Sequence, residues 1–170
     1  MPSNSSVSMM ASTARVSCLS NLKILATTAA TYADAHGGQF PLASRKTPPA
    51  FASLNLLVQS HPELGSANFV CPASQQREVE EINGRFQLDA STNSYAWIGL
   101  PTLNTSDPKW ALGSDIGVEE PKLGLSGNHH DGMNVVYVGG NATWISLEEL
   151  PEGWLLPERL VDNSGTRPRR

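Results

Sequence analysis

The stretch from Ser12 to His36 constrains this chain most, because its apolar residues recur at helical spacing. Cys18, Leu22, Leu25, Ala29 and Tyr32 form one stripe, and Val16, Leu19, Ala26, Ala30 and Ala33 widen it. A helix with one apolar side must lay that side on something else, and the many alanines let the covering layer come close. Ser12 or Thr13 supplies the N-cap. Gly37 and Gly38 supply the left-handed stop, and Pro41 prevents an early restart.

With 170 residues the chain suits one domain with a core of its own. Charged residues are 16% of the total, while 14 glycines and 12 prolines predict short elements joined by long loops. The formal charge is −4, and basic residues cluster only at Arg167, Arg169 and Arg170, which excludes a nucleic-acid surface. No apolar run reaches the about 18 residues that a membrane-spanning helix needs. The first ten residues lack the charged start and apolar core of a secretory signal. Two cysteines, Cys18 and Cys71, leave two readings open: one disulfide made in an oxidising compartment, or two buried thiols.

Read along the chain, residues 1–11 are a flexible lead-in, 12–161 one domain and 162–170 a disordered tail. A second helix is predicted over Ala50–Ser60, ended by His61-Pro62. Phe69, Val70 and Cys71 read as a short extended piece, and Asn83-Gly84 as the turn of a small hairpin. Strands are expected over Ser94–Leu100 and in the WALGSD segment from Trp110, followed by a surface loop from Ile116 to Asn128. The clearest β signal is NVVYV and NATWI joined by Gly139-Gly140, a tight hairpin. Trp154, Leu155 and Leu156 form an apolar patch that docks. A leading helix followed by short antiparallel strands makes the fold class α+β.

Little in the chain announces chemistry. No phosphate-binding loop, dinucleotide fingerprint, nucleophile elbow or HExxH is present. His129, His130 and Asp131 adjoin in one loop, but neighbours in an extended segment face opposite ways, and His36 and His61 lie far along the chain. The reading adopted for His129 is therefore loop ordering, with a metal-dependent hydrolase using His129 and Asp131 as the least favoured alternative. The four tryptophans, Trp97, Trp110, Trp144 and Trp154, read as core residues; the alternative is an exposed groove for a glycan.

Three separated stretches carry a family resemblance. ARVSCLSNLKILATTAATYADAHGGQFP (14–41), FVCP (69–72) and NHHDGMNVVYVGGNATWI (128–145) resemble, in order and distance, motifs of the prepilin-type processing-associated H-x9-DG proteins, relatives of type IV pilins and type II secretion pseudopilins. Nine residues separate His129 from Gly139, as the family pattern demands, and Asn134 opens its NVVYV strand. Gly139-Gly140 stands where the family has Asp-Gly, and Asn141 where it often has His. The resemblance implies a pilin-like head, a long helix on a small antiparallel sheet, with His129, Asn134, Gly139 and Gly140 as structural motif residues. It implies a non-enzymatic structural subunit, working by assembly with other pilin-like subunits or secretion machinery at the periplasmic or extracellular face of a bacterial inner membrane. Members open with an apolar anchor of about twenty residues, which this sequence lacks, so membrane attachment would need a segment missing here. The alternative is an extracellular glycan- or protein-binding module on the same scaffold. No cofactor is expected; calcium in a late loop, on Asp115, Glu119 and Asp131, is the one candidate, and their spacing matches no EF-hand.

Overall fold

The computed structural model describes residues 4–116 and 128–169. Helix α1 runs Asn4–Ala35 and α2 runs Ala50–Ser60. The strands are β1 (Tyr95–Ile98), β2 (Ala111–Asp115), β3 (Gly132–Tyr137), β4 (Ala142–Ser146) and β5 (Leu160–Val161). They form one five-stranded antiparallel sheet in the order β4-β3-β2-β1-β5. The long helix lies on β3 and β2, so the fold is the α+β helix-on-sheet arrangement the residues predict.

The buried face of α1 is Cys18, Leu22, Leu25, Ala26, Ala29 and Ala33, while Val16 and Ala30 from the widening set face outward. The sheet covers a narrow alanine-lined seam, which permits the close approach of backbone to strand. At its end, the N–H of Gly38 donates to the Ala33 carbonyl at 2.8 Å, with Gly37 and Gly38 at φ 64° and 84°. The start differs from the expectation. The helix begins at Asn4 rather than at a Ser12 cap, because nothing between the two is Gly or Pro, and Thr13 turns its hydroxyl back to the Met9 carbonyl at 2.9 Å instead of capping.

Helix α2 has the predicted bounds, and its Asn55 side chain clamps the backbone of Leu88 through both its N–H (2.8 Å) and its carbonyl (3.0 Å). The hairpin of β3 and β4 turns at Gly139-Gly140, where Gly140 has φ 83°. A Cβ on residue 139 would come within 2.8 Å of Pro108 Cβ, which gives a physical reason for glycine where the resembling family has aspartate. On β2, Gly113 stands opposite Trp97, and a Cβ there would lie 2.7 Å from the indole. The Trp97 ring is fully buried and its Nε1 donates to the Pro41 carbonyl at 3.1 Å.

Three local readings change. Of the extended piece expected over Phe69–Cys71, Val70 is extended but Phe69 ends a 3-10 turn, Ser66–Phe69, in which Asn68 folds back on Gly65, accepting its N–H at 3.0 Å. The Asn83-Gly84 turn closes only an isolated bridge, Ile82 with Arg85, since the flanking glutamates leave no face to bury. Strand β5 goes unpredicted, being two residues long, and it completes the sheet edge by pairing Val161 with Trp97. Beyond it, Leu155 N–H donates to the Pro168 carbonyl, and Arg167 and Arg169 stack on Trp154. The Ile116–Asn128 loop falls almost wholly outside the described residues. No helix among the described residues is long and apolar enough to cross a membrane.

Candidate metal centre

Four side chains from four separate segments meet where α1 crosses the sheet. Cys18 comes from the middle of the α1 seam, Cys71 from the loop after the 3-10 turn, Asp115 from the end of β2, and His129 from the residues leading into β3. Each is buried, and their ligating atoms all lie within 4.8 Å of one another. The His129 Nε2 is 3.7 Å from Cys71 Sγ and 3.3 Å from Asp115 Oδ2. Cys18 and Cys71 are joined as a disulfide, with Cα atoms 4.9 Å apart.

A buried carboxylate is tolerable only when its oxygens are satisfied. Asp115 Oδ2 accepts from the Asn134 backbone N–H (2.8 Å) and side-chain amide (3.0 Å), and Oδ1 from the Asn128 amide (3.3 Å). Those amides are themselves held, Asn128 by the Ser94 carbonyl at 2.7 Å and Asn134 by the Arg15 carbonyl at 3.1 Å. The Cys71 carbonyl accepts from the Ser74 hydroxyl at 2.8 Å. Such outer partners orient the donors and fix their positions. Beside them, burial pushes the Tyr95 phenol well above its ordinary range; the Asn21 amide bond to its hydroxyl works the other way, and the Asp115 charge adds to the rise.

Trp144 closes the outer side. Its ring meets His129 edge-on at 5.3 Å, and the Arg15 guanidinium lies over the indole at 4.1 Å. Arg15, one helical turn before Cys18, also holds both oxygens of Asp131 at 2.6 and 2.7 Å. The centre is thus walled by an indole and latched by a half-exposed ion pair.

What can these atoms do? Around a tetrahedral zinc the donors sit at about 2.0–2.3 Å, hence about 3.3–3.8 Å from one another. Both gaps at His129 fall in that interval. The sulfurs must separate by reduction before they can act as thiolate donors. Reduced, the set is two thiolates, an imidazole and a carboxylate, a combination that suits zinc.

This overturns the expectation of a purely structural, non-enzymatic subunit without a cofactor: the buried Cys18-Cys71-Asp115-His129 cluster is a candidate metal or catalytic centre. The hydrolase alternative also paired the wrong acid with His129. Asp131 is exposed and bound to Arg15, although an i, i+2 spacing in an extended segment would put it on the His129 side, and Asp115 from another strand takes its place. The calcium set does not gather: Asp115 is enclosed by asparagines, Asp131 is on Arg15, and Glu119 lies outside the described residues. His36 stacks on Tyr32 and His61 pairs with Glu63, both away from the centre. Of the tryptophans, Trp97 is core, and Trp110, Trp144 and Trp154 each carry an arginine on the ring, so these faces are already engaged. Asn134, read from sequence as a hairpin residue, turns out to be the main support of Asp115.

Compared with protein-family models, with curated proteins and with solved structures, the chain matches none. The architecture is pilin-like in general: a long leading helix on a small antiparallel sheet.

Proposed function

We propose that this protein binds one transition-metal ion, zinc by its donor set, through Cys18, Cys71, Asp115 and His129 in the dithiol form of the chain. The observation that carries the reading is the convergence of four buried donors within 4.8 Å, with His129 already at tetrahedral spacing from two of them. His129 would coordinate through Nε2, so its remaining proton sits on Nδ1. Asp115 would bring its charge to the ion while Asn128 and Asn134 keep it aimed. Kinship to the H-x9-DG proteins is supported by the order and spacing of the three motifs. The cysteine bridge is the form that persists in an oxidising compartment such as the periplasm, so metal binding there requires a reductant.

The test is metal loading of the full chain. Reduced without oxygen and given Co²⁺, the protein should take up one ion and show the thiolate charge-transfer and intense visible bands of tetrahedral cobalt. Native mass spectrometry should show one Zn²⁺ under the same treatment. His129→Ala should abolish tight uptake. A reduced, folded chain with no stoichiometric metal, or cobalt bands of an octahedral ion, would sink the proposal.

A further inference from the structure

The two sulfurs that would hold the ion are the two that are bonded to each other, and a sulfur in a disulfide is no longer a thiolate donor. We infer that the centre is a redox gate: oxidation of Cys18 and Cys71 to the disulfide releases the metal, and reduction allows it to rebind. This rests on the metal-binding reading above.

The geometry suits an exchange between two states that share one frame. The Cα atoms of Cys18 and Cys71 lie 4.9 Å apart, within the span of a disulfide, and both cysteines sit on supports that neither state needs to move. Cys18 is fixed within the α1 seam, and the loop of Cys71 is held by Ser74 and by Asn21, whose amide donates to the Val70 carbonyl at 3.0 Å. Asp115 and His129 remain in place beside the disulfide, so the oxidised chain keeps half of the donor set and loses the sulfur half. An oxygen and an imidazole alone make a weak site, since structural zinc takes four protein donors.

The chemistry balances with hydrogen peroxide as oxidant. The two thiolates give up one electron each, and the sulfur–sulfur bond forms as the two metal–sulfur bonds break. The peroxide O–O bond breaks, and with two protons from water the oxidant leaves as two molecules of water. In reverse, a dithiol reductant gives two electrons and two protons to the disulfide and becomes a disulfide itself.

The experiment uses the reduced, zinc-loaded full chain. Hydrogen peroxide is added in steps while free zinc is read with a chromophoric chelator, thiols by titration, and helix content by circular dichroism. The expected result is one zinc freed for each disulfide formed, with helicity retained, and recovery of zinc binding on treatment with a dithiol. Zinc that stays bound after the disulfide has formed overturns the gate alone. Zinc lost with the thiols intact, or with over-oxidation instead of disulfide, does the same. A reduced, folded chain that never takes up zinc overturns both the gate and the metal-binding reading.

Discussion

Asp115 Oδ2 lies 3.3 Å from His129 Nε2 and on its other side receives two N–H groups from Asn134, so one oxygen ties β2, β3 and the histidine together. Asp115→Asn keeps the shape but puts an amide where donors converge. At least one N–H would then face another, and the loss should be about 1–3 kcal/mol in urea unfolding of the disulfide form. In the reduced form the same change removes the anionic donor and should weaken zinc by tenfold or more, roughly the scale seen even for outer partners. Unchanged zinc affinity in a competition titration would remove Asp115 from the ligand set.

The Cys18–Cys71 bridge closes a loop across a sequence separation of 53. Loop-closure entropy for that length makes the bridge worth about 4 kcal/mol against the unfolded chain. Reduction without metal should lower the unfolding free energy by about that amount. Zinc at a hundredfold excess over its dissociation constant should restore about 2.7 kcal/mol, because it binds the folded chain alone. Urea titrations of the oxidised, reduced and reduced-plus-zinc chains give the three values. A reduced chain that zinc leaves unchanged would speak against the centre.

Arg15 lies over the outer face of Trp144, the ring that covers His129. Its ion pair with Asp131 is solvent-exposed, with side-chain exposures of 38% and 62%, so screening limits the pair to about 0–1 kcal/mol. Its stacking on Trp144 adds a comparable amount. The latch is therefore weak. Arg15→Ala should speed reduction of the buried disulfide by glutathione by roughly fivefold while lowering global stability by no more than about 1–2 kcal/mol. Timed alkylation of the released thiols, followed by mass spectrometry, measures the rate. Equal rates would place the route elsewhere.

Much of the frame is legible in residue order. The α1 seam, α2 and the β3–β4 hairpin each follow from periodicity or from glycine placement. The parts that escape are those decided by other segments. Strand β5 exists because β1 offers an open edge, and the 3-10 turn before Cys71 exists because Asn68 finds Gly65. The centre is harder still. His129 stands out by its spacing to Gly139, and Cys18 and Cys71 stand out as the only cysteines. Asp115 is one acid among many, and no local pattern joins residues 18, 71, 115 and 129. Their union depends on the register that sets Tyr95 opposite Asp115 and on the helix crossing above it. The one signal available was the pair Asn128 and Asn134 flanking the histidine, since amides beside a buried strand need a carboxylate or carbonyl to face.

Tyr95 gives the alkaline limit of the fold. It is fully buried, and burial holds its phenol protonated to a pH far above its ordinary value of 10.0. In the unfolded chain it ionises near that ordinary value. Above it the unfolded state binds fewer protons than the folded one, so stability falls as pH rises, by about 1.4 kcal/mol per unit for this residue. Below it both states are protonated and Tyr95 adds no slope. Tyr95→Phe should therefore cost about 1 kcal/mol near neutrality, for the lost bond to Asn21, yet flatten the decline above pH 10. Burial also raises the half-buried Tyr137, so the wild-type slope has more than one source. The difference between wild type and variant, from urea unfolding at pH 8, 10 and 11, isolates Tyr95. Parallel curves across that range would mean the buried phenol ionises in place.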